Sequence, residues 1–174
     1  KLGDALEQLV SSELVFRRGA PPDATYTFKH ALVQDAAYQS LLKSKRQQLH
    51  VRIAQTLEQQ FPETAASEPE LMARHLTEAR LAEKAVAYRH RAGELAIRRS
   101  AMQEAIAELA AGLELLQSLP EDAGRDGREL ELQIALGNAL NAAKGQSAPE
   151  AGRAFARTCE LCRKRGDTPE LFPA

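Results

Sequence analysis

This 174-residue chain has no tryptophan, only 5% aromatic residues and only two cysteines. Two cysteines are too few for a fold that depends on a network of disulfides. Cys159 and Cys162 form an isolated CELC with no second pair of ligands nearby, which argues against a structural zinc site. We therefore expect two reduced thiols on a helix, and a cytoplasmic protein.

Two further features are missing, namely an excess of charge of one sign and a long apolar run. The net charge of −1 gives no general attraction to nucleic acid or to an anionic membrane. No apolar segment approaches the roughly 20 residues of a membrane-spanning helix, and no signal peptide is visible. Because the chain starts at Lys1 without a methionine, we interpret it as part of a longer protein.

What the chain does contain is Ala and Leu with Glu, Gln and Arg between them, a composition that favours helix. The exception is LVFRR and TYTF, two runs separated by a Gly–Pro cluster, which predict one β-hairpin over residues 14–28. Apolar periodicity predicts helices over residues 3–13, 31–42, 45–60, 71–78, 82–98, 128–144 and 147–165. A further helix is predicted to start with a capping box formed by Ser100 and Gln103. The segments 62–68 and 119–127 are predicted to be a connector and a loop.

An internal repeat lies within the helical part. Gly93 precedes Ala105, and Gly137 precedes Ala151, at similar distances, and a large residue follows each alanine by four positions. In tetratricopeptide-type hairpins a small residue on each helix lets the pair pack closely, and a large residue fills the gap to the next unit. The spacing therefore favours stacked helical hairpins.

The strings FKHALVQDAAYQSLLKSKRQQLHVRIAQTLEQ and LMARHLTEARLAEKAVAYRHRAGELAIRRSAMQEAIAELAAGLELLQSLP resemble STAND-type signalling ATPases. In these proteins a winged helix closes the ATPase core and leads into tetratricopeptide-like (TPR-like) repeats. The bacterial group with an adenylate/guanylate cyclase domain in front of the ATPase is the most similar. The resemblance implies a winged-helix end over residues 1–61, a connector at 62–68 and repeats over 69–174.

The expected fold class is mainly α: a winged-helix remnant with one small β-hairpin, followed by an α-α superhelix of TPR-like helical hairpins. The expected function is a non-catalytic regulatory module that binds a protein or small effector and relays this to an upstream ATPase domain in cis. No phosphate-binding loop occurs in the chain, so we expect no cofactor here and ATP or ADP only in the parent protein. The alternatives are a part of a nucleotide cyclase, or of a transcriptional regulator, whose output domain lies upstream.

His30 is the candidate nucleotide-sensing residue. In the wider ATPase class a winged-helix Met-His-Asp motif followed by Leu-Val-x-Asp places its histidine on the β-phosphate of ADP. Here the string is KHALVQD, which keeps the histidine and Leu-Val-x-Asp but has Lys29 and Ala31 at the other two positions. A histidine at a helix start can donate to a phosphate oxygen. The alternative is that His30 ends the hairpin and bonds a backbone carbonyl.

The candidate interaction groove follows from the TPR resemblance, in which the first helix of each hairpin lines the concave face. Carried over to this chain, those positions are His90, Glu94, Ile97 and Arg98 from one hairpin and Glu131, Ile134, Asn138 and Asn141 from the next. Their mixture of polar groups and two apolar anchors suits a peptide or an effector. The alternative is that this surface packs against further repeats.

Other functions find less support in the sequence. The short helix before the hairpin is acidic, and KSKR at 43–46 is a small basic cluster of the kind that usually forms a solvated face, so we expect no direct nucleic-acid binding. His75 lies three residues before Glu78 without a third ligand, and no nucleophile–base pattern is present. We therefore expect no enzymatic chemistry within the chain and no metal site.

Overall fold

The computed structural model describes residues 2–21, 24–145 and 147–166. Its contacts divide the chain into two compact units, Lys1–Arg46 and Gln47–Ala174. The described residues are mainly helical, with one two-stranded antiparallel sheet. The mainly α fold class and the single β-hairpin predicted from the sequence are therefore confirmed.

The first unit consists of two short helices with the hairpin between them. In the sheet, Val15 lies opposite Phe28 and Arg18 lies opposite Thr25. Glu13 takes a left-handed conformation, with φ of 60°, in the turn between the first helix and the hairpin. The elements are α1 (Leu2–Ser11), β1 (Val15–Arg18), β2 (Thr25–Phe28) and α2 (Ala31–Ser40).

Among its described residues, the first unit has almost no core of its own. Val15 is its only buried hydrophobic side chain, and neither α1 nor α2 contains a buried residue. Leu32 and Leu42 are 83% and 77% exposed. Small domains depend on a buried core for their stability, so this unit contributes little hydrophobic stabilisation from its own contacts.

The second unit is a succession of helices in which α5 to α9 each pack on their neighbours along the chain. The helix α3 begins before the division between the units, and its residues from Gln47 onward belong to the second unit. None of the helices in the described ranges is both long and apolar enough to cross a membrane. The elements are α3 (Lys43–Gln60), α4 (Pro62–Ser67), α5 (Pro69–Glu78), α6 (Ala82–Arg98), α7 (Met102–Leu116), α8 (Ala123–Lys144) and α9 (Pro149–Arg165).

The two glycines of the sequence repeat lie where paired helices approach most closely. A Cβ atom added to Gly93 would lie 2.5 Å from Cγ of Leu109, and one added to Gly137 would lie 2.7 Å from the ring of Phe155. Each large residue thus occupies the space above the glycine of its own hairpin. Leu109 also joins a core cluster with Leu132 of α8, so it bridges to the next helix as well.

The predicted connector, 62–68, is largely helical, and the division between the two units falls between Arg46 and Gln47, whereas the resemblance implies a winged-helix end over residues 1–61. Helix α4 occupies most of the connector and buries Ala65 in a cluster with Met72 and Leu76. Proline is tolerated in the first turn of a helix, so Pro62 starts a helix here instead of breaking one. The contact boundary falls earlier because α3 packs on α5: Nε2 of Gln47 donates a hydrogen bond of 3.2 Å to the Ala79 carbonyl.

The predicted capping box at Ser100 is wrong. Ser100 has a φ of 60° and closes α6, its N–H donating to the Ile97 carbonyl at 2.9 Å. Helix α7 starts at Met102, and the residue before it makes no side-chain cap. A residue in the left-handed conformation after a helix allows backbone N–H groups to bond the last free carbonyl groups of that helix. Ser100 takes this conformation at the end of α6 instead of capping the start of α7 with its side chain.

The predicted loop at 119–127 is shorter than expected, because α8 begins at Ala123. The Asp122 carboxylate accepts a hydrogen bond of 2.7 Å from the Arg125 N–H and so caps the helix. An aspartate at this position satisfies an amide that would otherwise lack a partner, which offsets the low helix propensity of the two nearby glycines.

Candidate interaction groove

Helices α6 and α8 together form an open groove of about 440 Å³ in the second unit. The predicted positions recur every three or four residues on each helix, which places them on one face of it. The helices also contact one another directly, so the two faces meet. Seven of the eight predicted groove residues line the groove together with Ala135, which was not predicted: His90, Glu94, Ile97, Arg98, Glu131, Ile134 and Asn138.

Asn141, the eighth predicted residue, is not among the lining residues. It lies in the last turn of α8 and is half-buried, and its Oδ1 atom is buried without a hydrogen-bond partner. Its carbonyl accepts a hydrogen bond of 2.9 Å from the Gly145 N–H at the helix end. The structure therefore separates Asn141 from the groove.

The floor of the groove is apolar and is held by the core behind it. Ile97 packs against the cluster that contains Leu109 and Leu132. Ile134 packs against the cluster of Leu130, Leu161 and Cys162. Both isoleucines are only partly buried, so they present apolar surface to the groove while their positions are fixed from behind.

The polar centre of the groove is His90. Its Nε2 atom lies 3.8 Å from a carboxylate oxygen of Glu94, and its Nδ1 atom lies 3.9 Å from one of Glu131. The two carboxylates come from different helices and converge on one half-buried imidazole. Both distances exceed those of ordinary hydrogen bonds, so the carboxylate oxygens keep their capacity to accept from another donor.

His30 is an exposed residue at the start of α2 in the first unit. Its backbone is extended, with φ of −130°, and its carbonyl accepts hydrogen bonds from Val33 and Gln34. The imidazole makes no cap hydrogen bond to the helix. His30 therefore begins the helix through its backbone, and its side chain lies near a helix N-terminus, where the peptide dipoles favour an anion.

The basic side chains around the hairpin are partly neutralised by acidic neighbours. Arg17 pairs with Glu7 of α1. Lys29 lies 3.5 Å from a Glu13 carboxylate and 4.9 Å above the centre of the Phe16 ring. Such pairing lowers the charge available for phosphate contacts.

A second cavity, of about 240 Å³, lies on α5, α6 and α7. Glu108 lines it and bonds Arg89 at 2.6 Å, with both side chains about one-fifth exposed. A partly buried ion pair therefore joins α6 to α7 beside this cavity.

The described residues contain no cluster of three or more His, Cys, Asp or Glu that could hold a metal ion. Cys159 and Cys162 lie on α9 as free thiols, the first half-buried and the second buried. Cys162 packs with Leu130 and Leu161, where it acts as a small apolar side chain.

An imidazole pair that the sequence analysis did not find joins α3 to α5. The Nδ1 atoms of His50 and His75 lie 2.8 Å apart, and their rings are tilted by 40°. One nitrogen must donate and the other accept, so the pair holds a single proton between these two atoms. The residues are far apart in the sequence, and only the packing of α3 on α5 brings them together.

This pair predicts a dependence of stability on pH. Burial, followed by the charges of His50 and Arg74, lowers the pKa of His75 below 6.5. In the pH range below 6.5 the unfolded chain then binds more protons than the folded one, so the free energy of unfolding falls as the pH is lowered. We expect the urea midpoint to decrease from pH 7.5 to pH 5.5, and to decrease less in His75→Gln. The exposed His30→Gln is the control, and an equal pH effect in all three proteins would contradict the prediction.

Comparison with known proteins identifies no family. No family model and no solved structure matches the chain. An uncharacterized protein of Rhizobium meliloti (strain 1021) is 30% identical over 174 residues, which is 99% of this chain but 17% of that protein. The chain thus spans about one-sixth of the length of this curated relative.

Proposed function

We propose that this chain is a non-catalytic regulatory module of a longer signalling ATPase. The groove on α6 and α8 binds a segment of a partner protein, and the first unit relays the bound state to a nucleotide switch. One observation carries the proposal: two helices from separate hairpins bring seven predicted residues around a single open groove with a polar centre and an apolar floor. A concave site with few convergent polar groups is the usual form of a binding site.

The small core of the first unit supports a place within a larger protein. With Val15 as its only buried hydrophobic side chain in the described part, the unit leaves Leu32 and Leu42 largely exposed. Exposed apolar side chains of this size in a unit with so little core are typical of a surface that another segment covers. According to the winged-helix resemblance, the segment that covers this surface is the ATPase core upstream. The much longer relative is consistent with such a context.

The contact pattern of the second unit supports the TPR-like superhelix. Helices α5 to α9 pack mainly on their neighbours along the chain, as repeat proteins do. The glycine contacts at Gly93 and Gly137 recur in successive hairpins. In this arrangement the first helices of the hairpins share one face, which is where the groove lies.

The relay to a nucleotide predicts a role for His30. In the parent protein, extended upstream through its ATPase domain, we expect His30→Ala to release ADP about tenfold faster or more. The reason is the loss of one hydrogen bond to a charged phosphate, which contributes about 1.5–3 kcal/mol. The measurement is the dissociation rate of a fluorescent ADP analogue from the purified protein.

The control for this experiment is Gln34→Ala, an exposed position in the first turn of the same helix. If His30→Ala and the control retain ADP equally well, His30 only starts the helix. The relay through this residue would then be wrong, and the groove would remain as the part of the proposal to test.

A further inference from the structure

The carboxylates of Glu94 and Glu131 are left without a fixed cation. Their side chains are 48% and 66% exposed. Among the ion pairs of the described residues, each of these two carboxylates is paired only with His90. Elsewhere in the second unit, two carboxylates on α8 are paired with cationic side chains of α9. Glu129 bonds Arg157 at 2.6 Å, and Asp126 bonds Lys164 at 2.7 Å.

Arg98 is the only Lys or Arg side chain in the groove lining. It lies in the last turn of α6, where the free carbonyl groups at the helix end attract a positive charge. No ion pair between Arg98 and either carboxylate occurs among the described residues. The centre of the groove therefore carries two negative charges from two helices, facing the same imidazole.

The apolar floor lies beside this acidic centre. Ile97, Ile134 and Ala135 line the same groove and are each partly buried. Lys and Arg bury their aliphatic stems on apolar surface and keep the charged group among polar atoms. A basic side chain in the groove can meet both conditions, because apolar side chains and carboxylates line the same groove.

From this juxtaposition we propose that the groove binds a peptide segment through a Lys or Arg side chain held between Glu94 and Glu131, with a neighbouring aliphatic residue on Ile97 and Ile134. This inference rests on the proposed function of the groove and names the chemistry of its partner. The side-chain amide of Asn138, an exposed residue of the groove lining, can donate to and accept from the backbone of an extended peptide.

The probe is a random twelve-residue peptide library displayed on phage, with the 174-residue chain as bait. Asn138→Tyr serves for counter-selection, because a ring at this exposed position fills the groove without changing the core. We expect the enriched peptides to share a Lys or Arg next to an aliphatic residue. Their binding should weaken as the salt concentration is raised, since the carboxylates are solvent-exposed.

Charge variants then separate this inference from the proposed function. Glu94→Gln with Glu131→Gln should weaken the selected peptides about tenfold or more, which corresponds to about 1.4 kcal/mol. His90→Lys should have a similar effect, because it places a cation within reach of both carboxylates. The matched control is Glu104→Gln with Glu114→Gln, two exposed carboxylates on α7, and it should bind like the wild type.

Enriched peptides without a basic residue that still bind the double glutamine variant would overturn this inference while leaving a peptide-binding groove in place. Peptides with a basic motif that lose as much affinity for the α7 control as for the double variant of Glu94 and Glu131 would also overturn it. The attraction would then come from the net charge of the chain. If the wild type enriches no peptide over Asn138→Tyr, both the inference and the proposed peptide groove are wrong.

Discussion

Replacing Gly93 by alanine should lower the free energy of unfolding of the second unit by about 2–3 kcal/mol. Alanine normally stabilises a helix interior by about 1 kcal/mol relative to glycine. At this position the added Cβ would lie 2.5 Å from Cγ of Leu109, whose side chain is 0% exposed. With nowhere for Leu109 to move, α6 and α7 must separate. Urea denaturation of the chain, followed by circular dichroism, measures the effect.

The same substitution at Gly152 is the control. Gly152 is exposed within α9, and an added Cβ would have no atom within 4 Å. Gly152→Ala should therefore stabilise the chain by about 0.5–1 kcal/mol. The variant Leu109→Ala should make Gly93→Ala less harmful, because neighbouring substitutions are not additive. Similar free energies for Gly93→Ala and Gly152→Ala would mean that the two helices are not in such close contact.

Trypsin should remove the first unit of the 174-residue chain at least about 100-fold faster than it degrades the second. A protease acts on locally opened states, and a difference of about 3 kcal/mol in opening free energy gives such a factor. Val15 is the only buried hydrophobic side chain described in the first unit, whereas the second contains several core clusters. Mass spectrometry should show a resistant product that starts near Gln47. Cleavage sites are available at Arg17, Arg18, Lys29, Lys43, Lys45 and Arg46.

A longer protein that contains the proposed upstream segment, the parent protein, would provide the matched comparison. If an upstream segment covers the first unit, the same sites should be protected there. Leu32→Asp should leave the stability of the 174-residue chain unchanged, because this side chain is 83% exposed. In the parent protein it should restore cleavage, since it would bury a charge. Equal protease resistance of both units in the short chain would show that the first unit is stable without a further segment.

The elements themselves were largely predictable. Helix α6 has the predicted bounds, Ala82–Arg98, and both strands lie within their predicted runs. Helix and hairpin formation depend on hydrogen bonds between residues close in sequence, so periodicity and turn residues are sufficient signals. The errors were a missed helix at Pro62–Ser67, a capping box at Ser100 that does not form, and a start of α8 predicted at residue 128 and found at Ala123.

The face of each groove helix was also predictable, because the predicted positions on α6 and on α8 follow the helical repeat. That the two faces meet was an expectation from the TPR resemblance and not from spacing. This expectation differs from the structure at two positions: Asn141 was predicted to line the groove and does not, and Ala135 lines it without having been predicted. The number of residues of a helix that line a groove depends on the angle and the separation of the two helices that form it.

The sequence by itself therefore determined the helices, the hairpin and which positions share a face, because these depend on local hydrogen bonding and residue spacing. Only the tertiary structure decided which faces are buried. Helix α3 buries His50 and Ala54, while Leu49 and Ile53, two apolar residues four positions apart on the same helix, are exposed. The acidic centre around His90 likewise exists only because packing brings α6 and α8 together. Burial depends on what each face meets, and that information lies in contacts between residues distant in the sequence.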